Sequence, residues 1–168
     1  MSEVGGEISQ TEYSEFISQI DLQAVWLKDE AVSNRIGPRP GGHFTTNFRV
    51  LEATYEETNE GFRAFIGFEA EFLVDDQPPP GAEISALLAL DYTSTAKISP
   101  RIFALFGENN VPVNAWPYFR ALAGELTARM GWTPFTLPVF KILLEAPREV
   151  PEPAPTPRKR AARSQRGT

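Results

Sequence analysis

The chain has no cysteine and only one histidine, His43, among its 168 residues. The absence of thiols excludes disulfides, thiolate metal ligands and cysteine nucleophiles. A single histidine excludes a histidine-rich metal site, and it leaves any serine–histidine–acid triad dependent on His43 alone. His43 follows a Gly-Gly pair at the start of a predicted strand, where a solvated histidine is the ordinary interpretation. We therefore expect no metal site and no cofactor.

Long apolar runs and phosphate-binding loops are absent as well. No uninterrupted apolar run approaches the roughly 18 residues that a membrane-spanning helix needs, so we expect no membrane insertion. The first sixteen residues are acidic and polar, unlike a secretory signal, which favours a soluble cytoplasmic protein. The Gly-rich stretch 37–42 contains prolines, which lack the N–H groups that cradle a nucleotide phosphate. We therefore expect a function that is independent of ATP.

The acidic pairs Glu56-Glu57 and Asp75-Asp76 lie in predicted turns. Acidic pairs in turns are usually solvated caps, whereas a general acid and base need a shaped cleft with perturbed pKa values. Together with the single histidine, this pattern predicts that the chain is not an enzyme.

Charge is unevenly distributed along the chain. From Pro147 onward there are six basic and two acidic residues, a net charge of +4 in a chain whose total is −6, so the first 146 residues carry −10. An acidic body repels nucleic acid, so any contact with nucleic acid is expected only through this tail. The composition predicts a flexible segment 1–15, one folded domain over 16–146 and a disordered tail over 147–168.

Apolar alternation predicts four strands, over residues 16–27, 43–55, 62–74 and 84–92. In the second run the apolar residues switch from even to odd positions, which one extra residue in a bulge would explain. The connections are too short for crossover helices, so the strands are expected to form an antiparallel meander.

One main helix is predicted after the strands. Asn114 is suited to cap it, Pro117 to occupy its opening turn and Gly131 to end it in the left-handed conformation. Residues 133–140 contain two prolines and are expected to be extended, and residues 99–113 to form a loop. The fold class is therefore α+β, with an amphipathic helix packed on one face of a four-stranded antiparallel sheet.

The order of residues in this last region is more specific than its helical pattern. The relevant residues are Trp116-Pro117-Tyr118, Arg120, Leu126, Thr127, Arg129, Pro134, Thr136-Leu137 and Pro138. This order resembles the signature of the SecB family, bacterial chaperones that hold unfolded proteins. The resemblance implies a homotetramer built as a dimer of dimers, with this helix at the subunit contact.

Both faces of the predicted sheet carry apolar side chains. Phe65, Leu73, Leu87 and Ala89 lie on the face opposite the helix, and one helix cannot cover both faces. The surplus apolar surface is expected to contact another subunit or a ligand. The residues expected to serve the helix-to-core and subunit contacts are Trp116, Tyr118, Arg120, Leu122, Leu126 and Arg129. Arg120 and Arg129 are equally compatible with ion pairs across an interface and with solvated positions.

Twelve Phe, three Trp and four Tyr exceed what a modest α+β core needs. Apolar residues on Pro-stiffened segments beside an acidic surface suit a groove for extended apolar peptides, in which burial is favourable without much side-chain specificity. The residues expected to line this client groove are Phe48, Val50, Phe103, Phe106, Phe135, Leu137 and Phe140. We therefore predict a holdase that binds unfolded client polypeptides.

The resemblance leaves two chaperone roles open. A general SecB protein keeps preproteins competent for export and contacts the translocase motor SecA, whereas some SecB-like relatives serve the antitoxin of a toxin–antitoxin system. Here residues 141–144 allow at most one helical turn before Pro147, and the tail differs from that of export SecB proteins. This difference puts contact with SecA in doubt and favours the SecB-like relatives.

Two other classes of protein compete with this interpretation. A hot-dog enzyme acting on acyl thioesters also wraps a sheet around a helix, but its long helix comes early in the sheet rather than after all four strands. An adaptor or nucleic-acid-binding protein would act through the basic tail, as six Arg and Lys residues permit.

Overall fold

The computed structural model describes residues 8–39, 41 and 43–140. Their elements, in chain order, are α1 (Gln10–Ile17), β1 (Ile20–Asn34), β2 (Thr45–Val50), β3 (Thr54–Glu57), β4 (Gly61–Val74), β5 (Gln77–Ser94), α2 (Pro100–Asn109) and α3 (Val111–Arg129). Helix α1 covers part of the segment expected to be flexible, and the first strand consequently begins at Ile20 rather than at residue 16.

Strands β4 and β5 form a long antiparallel hairpin at the centre of the sheet. Asp75 and Asp76 connect them with φ values of 53° and 57°, the backbone of a two-residue turn that matches the twist of a hairpin. Residues 75–81 are therefore a tight turn followed by the start of β5. The even-numbered residues of both strands point to the helices, and the core includes Phe62, Phe68 and Phe72 of β4, each at most 1% exposed.

The strand order in the sheet is β1-β5-β4-β2, and β3 also pairs with β4. The α+β class and the antiparallel sheet are confirmed, but β1 lies beside β5 instead of beside β2. The 15-residue β1 pairs with the 18-residue β5 along nearly its whole length, from Ile20 opposite Ser94 to Asn34 opposite Ala82. The connection from β1 to β2 passes the end of α3, where Trp132 Nε1 donates to the Gly37 carbonyl at 2.8 Å.

The run 43–55 forms two short strands rather than one bulged strand. Residues 51–53 interrupt the ladder, although Leu51 N still donates to the Gly67 carbonyl of β4 at 2.9 Å. Phe48 and Tyr55 point to the helix side, since they pair with Ala70 and Ala64 of β4. This break accounts for the switch of apolar positions in the sequence.

Two helices follow the sheet where one was expected. Helix α2 begins after Ser99, whose hydroxyl accepts from Ile102 N at 3.2 Å, and Pro100 occupies its opening turn. Asn110 ends α2 and precedes α3, so α3 starts at Val111 and Pro117 lies inside it. Asn114, expected to be a cap, instead donates from its side chain to the Tyr92 hydroxyl at 3.0 Å. Gly131, with φ of 79°, ends the helical region as predicted.

An aromatic cluster holds the helices on the sheet. The rings of Phe62 and Phe106 lie 5.6 Å apart edge to face, and Phe16 of α1 packs against both at 6.3 and 5.8 Å. Each buried ring of this kind stabilises the fold by about 1.5–3 kcal/mol. The cluster fixes α2 beside the β3 edge of the sheet. None of the helices among the described residues is long and apolar enough to cross a membrane.

Candidate functional site

A groove of about 820 Å³ lies between the β3 edge of the sheet and helix α2. We call it the β3–α2 groove. Its lining comes from residues 50–55, from α2, from the start of α3 and from the end of the described chain: Val50, Leu51, Glu52, Ala53, Thr54, Tyr55, Pro100, Phe103, Ala104, Gly107, Glu108, Pro112 and Phe140. Its volume is within the range of roughly 300–1,000 Å³ that is typical of ligand sites.

One wall of the groove is the edge of the sheet. Strands β2 and β3 pair with β4 on one side only, so within the described chain their other side has no strand beside it. Such an edge presents backbone N–H and C=O groups that an extended peptide can pair with. Six consecutive residues, 50–55, line the groove here, and they comprise the end of β2, the break at 51–53 and the start of β3. The wall therefore suits an extended segment independently of its exact sequence.

The opposite wall is helix α2, which is held close to β3 by aromatic packing. The rings of Tyr55 and Phe103 lie 4.3 Å apart. A Cβ atom at Gly107 would lie 3.1 Å from the Phe103 ring and 3.3 Å from Ala53 Cβ, so glycine permits this close approach of helix and strand. Ala104, one turn before Glu108, is exposed and leaves the middle of the groove open.

The charges in the groove are acidic. Glu52 and Glu108 are both exposed lining residues, and the described lining contains no Lys or Arg. No group of three or more His, Asp or Glu residues with the geometry of a metal site occurs among the described residues. His43 is exposed and is not part of the groove lining. An acidic rim around an apolar floor favours an apolar ligand that also carries positive charge.

The structure brings three of the seven predicted groove residues together, because Val50, Phe103 and Phe140 line the β3–α2 groove. Phe48 and Phe135 are half-buried against other aromatic rings, Phe48 against Trp116 at 6.0 Å and Phe135 against Phe72 at 5.2 Å.

The other two predicted groove residues are in the core. Phe106 and Leu137 are 1% and 0% exposed, so they present no surface to a ligand. These apolar side chains pack in the core, and the sequence pattern does not distinguish a core position from a groove position.

The six predicted interface residues divide by exposure. Trp116 and Leu126 are buried in the core, Leu122 and Arg120 are partly exposed, and Tyr118 is 49% exposed. Arg129 pairs with Glu125 one turn earlier in the same helix, with Nη2 at 2.5 Å from Oε1. Within the described chain, Tyr118 therefore offers the largest apolar surface of this set for a contact with another molecule.

Sequence reasoning missed most of the groove lining, including Tyr55, Ala104 and Gly107. The region of α2 was interpreted as a loop, although Ser99-Pro100 is a helix-start pattern and Phe103 and Phe106 have helical spacing. The edge residues 50–55 carry no pattern that distinguishes a free edge from a paired strand, so their role depends on the strand order.

A separate polar cluster lies on the face of the sheet opposite the helices. Arg63 Nε donates to Asp91 Oδ1 at 2.5 Å, and Trp26 Nε1 donates to Asp91 Oδ2 at 3.1 Å. These hydrogen bonds, chiefly the one from Arg63, lower the pKa of the Asp91 carboxyl, and the hydrogen bond to Asp91 raises the pKa of Arg63. The cluster ties β1, β4 and β5 together.

The sequence matches no family model and no curated protein. Among solved structures, the Mycobacterium tuberculosis Rv1957 SecB-like chaperone in complex with a ChAD peptide from the Rv1956 HigA1 antitoxin aligns with a TM-score of 0.68 and 14% identity, over 78% of this chain and 98% of that one.

A protein of unknown function from Streptococcus agalactiae aligns with a TM-score of only 0.38 and 11% identity, over 71% of this chain and 97% of that one, and it supports no inference. The match to Rv1957 shows that the chain has the fold of a SecB-like chaperone.

Proposed function

We propose that this chain is an ATP-independent chaperone that binds extended apolar segments of non-native polypeptides in the β3–α2 groove. The observation that carries the proposal is the groove itself, in which an open sheet edge faces an apolar helix wall across about 820 Å³. The edge can pair with any backbone, and the apolar wall can bury many different side chains. Both features bind unfolded chains in preference to folded ones, whose backbone and apolar groups are already occupied.

Holding follows from binding by mass action. A protein that binds only the unfolded form of a client shifts the population away from the compact form and away from aggregates. Several grooves on one oligomer would strengthen this effect, because a long client that is bound at one groove meets the next at high effective concentration. We propose a homo-oligomer for this reason, with a dimer of dimers as the arrangement implied by the SecB resemblance.

Two versions of this function differ in the client that the chaperone binds. Keeping preproteins competent for export is the general version. The Rv1957 structure, which has the same fold and contains an antitoxin peptide, favours a version dedicated to an antitoxin. Binding of SecA, or of nucleic acid through the basic tail, would involve residues 147–168, which lie outside the described part of the chain. The proposal involves no catalysis and needs none of these partners.

The test is a substitution in the middle of the groove. Ala104→Trp places a large ring in the open space between the sheet edge and α2, where the native alanine is exposed. We expect the affinity for a fluorescein-labelled 15-residue peptide rich in Phe and Leu to fall at least tenfold, measured by fluorescence anisotropy. The same peptide with these residues changed to Ser should bind weakly to both proteins.

Arg101→Trp is the matched control, because Arg101 is an exposed residue of the same helix that does not line the groove. It should bind the apolar peptide like the wild type. Equal affinity of Ala104→Trp and the wild type would reject the groove as the client site. Failure of the wild type to distinguish the two peptides would reject the chaperone proposal.

A further inference from the structure

The last described segment of the chain, residues 132–140, runs back along α3 towards the groove. Phe135 N donates to Thr127 Oγ1 at 2.9 Å near the end of α3, and Trp116 Nε1, near its start, donates to the Pro138 carbonyl at 2.8 Å. Leu137, between these two attachments, is fully buried. Three fixed points in nine residues set the direction of this segment, which we call the return strip.

The return strip ends at the β3–α2 groove. The Phe140 ring lies 5.4 Å from the Trp116 ring, and Phe140 is itself part of the groove lining. Val139, its neighbour, is 67% exposed and lies on the solvent side. The chain that follows Phe140 therefore starts at the groove, whatever conformation it has.

The residues that follow Phe140 have the composition expected of a groove ligand. They are Lys141, Ile142, Leu143 and Leu144, and the three aliphatic residues form the only run of large apolar side chains between 141 and 168. Four extended residues reach about 14 Å, enough to pass along roughly two thirds of the six-residue stretch that lines the groove. The rest of the tail is made mainly of Pro, Ala, Glu and Arg.

Charge also fits this occupant. The described lining of the groove contains the carboxylates of Glu52 and Glu108 and no basic side chain. Lys141 follows Phe140 directly and would bring a positive charge to this acidic rim. We propose that residues 141–144 occupy the β3–α2 groove of their own chain and compete with clients for it.

The competition with clients rests on the proposed function, whereas the occupancy of the groove by residues 141–144 does not. A segment attached next to its site has an effective concentration in the millimolar range, so even a weak contact keeps the groove partly filled. The apparent affinity for a client is then reduced by the fraction of molecules in which the groove is open. A client with a strongly apolar segment would displace residues 141–144 from the groove, whereas a weakly apolar client would not bind. Self-occupancy therefore sets a minimum affinity that a client needs.

The absence of cysteine makes the test direct, because any disulfide must join introduced residues. The full-length variant Ala104→Cys/Leu143→Cys places one thiol in the groove and one in the proposed occupant. A disulfide needs Cα atoms about 4.4–6.8 Å apart. The control Ala104→Cys/Ile142→Ser/Leu143→Cys/Leu144→Ser carries both thiols on a tether of the same length but lacks the other apolar side chains of the proposed occupant.

We expect the disulfide of the first variant to form within one chain at least tenfold faster than that of the control, as followed on non-reducing gels under mild oxidation. Equal rates would overturn self-occupancy. Disulfides that join two chains would also overturn it and would assign the groove to a neighbouring copy's segment.

Binding of the labelled apolar peptide distinguishes the two proposals. The oxidised Ala104→Cys/Leu143→Cys protein should bind the peptide at least tenfold more weakly than the reduced protein. Fast disulfide formation without peptide binding by the reduced protein would reject the client function and leave self-occupancy standing. In the uncrosslinked chain, Leu143→Asp should increase affinity for the peptide severalfold, and an unchanged affinity would overturn the competition.

Discussion

At the residue scale, Tyr92 shows how one buried polar group couples the sheet to α3. Its side chain is 3% exposed, and its hydroxyl accepts a hydrogen bond from the Asn114 amide at 3.0 Å. Burial raises the pKa of the Tyr92 hydroxyl to about 12, because the phenolate would lose its hydration, although the hydrogen bond from Asn114 opposes this effect. An unfolded tyrosine ionises near pH 10.

This difference in pKa predicts a pH-dependent loss of stability. Between about pH 10 and 12 the unfolded state releases the Tyr92 proton while the folded state retains it, so the free energy of unfolding falls as pH rises. The full contribution, present below pH 10, is up to roughly 2–3 kcal/mol. Tyr92→Phe removes the ionisation and should flatten the decline, as measured by urea denaturation at pH 8, 10 and 11. Parallel curves for the two proteins would show that Tyr92 ionises equally in both states.

At the scale of elements, the attachment of the return strip to α3 depends on one threonine. Thr127 is fully buried, and its hydroxyl donates to the Ala123 carbonyl at 2.8 Å while accepting from Phe135 N at 2.9 Å. The N–H groups that follow a helix have no partner inside it. The Thr127 hydroxyl accepts from one of them, the Phe135 N–H of the return strip. The strip in turn delivers Phe140 to the groove.

Removing this hydroxyl should loosen the strip. Thr127→Val keeps the shape of the side chain but leaves the partly buried Phe135 N–H without an acceptor, which costs about 1 kcal/mol. Thr127→Ser keeps the hydroxyl and is the control. We expect Thr127→Val to unfold at lower denaturant concentration than Thr127→Ser. Equal stability of the two variants would show that the hydrogen bond to Phe135 contributes nothing.

Most elements followed from local patterns in the sequence, and the errors had identifiable causes. Strict alternation in β4 predicted a half-buried strand over 62–74, close to the observed Gly61–Val74, and the left-handed end at Gly131 was also confirmed. The helix α2 was missed because it is short and contains Gly107, and glycine is unfavourable in helices. The groove is lined by both this helix and the sheet edge, so missing the helix left most of the site unpredicted.

The strand order was not predictable from local patterns for a different reason. Pairing of β1 with β5 joins residues about 50 to 74 positions apart, and alternation in one strand does not identify its partner. The same limit applies to Phe106 and Leu137, whose apolar character is compatible with core and groove alike. Burial, not residue type, distinguishes a core position from a groove position.

At the scale of the whole molecule, apolar side chains remain exposed along β1. Leu22, Leu27 and Val32 are 38%, 41% and 43% exposed. They pair with Tyr92, Leu88 and Ile84, whose side chains are buried under the helices, so these three residues lie on the helix side of the sheet beyond the cover that the helices give. A row of exposed aliphatic residues on one face of an edge strand is typical of a subunit contact.

We expect the wild type to sediment as an oligomer at micromolar concentration and Leu27→Lys to sediment as a monomer or a smaller species. The lysine charge would be desolvated in the contact, while the exposed position tolerates it in the isolated chain. Asp29→Lys is the control, because Asp29 pairs with Leu87 and points to the opposite face. A monomeric wild type would contradict the subunit contact, as would an oligomer that Leu27→Lys leaves intact.

Protection of an unfolded protein from aggregation tests the chaperone function most directly. A guanidinium-unfolded reporter protein is diluted into buffer with stoichiometric wild type, Ala104→Trp or Arg101→Trp, and light scattering is followed without ATP. We expect the wild type and Arg101→Trp to suppress scattering, and Ala104→Trp, which fills the β3–α2 groove, to suppress it far less. Undiminished aggregation with the wild type, or equal protection by all three proteins, would contradict client binding in this groove.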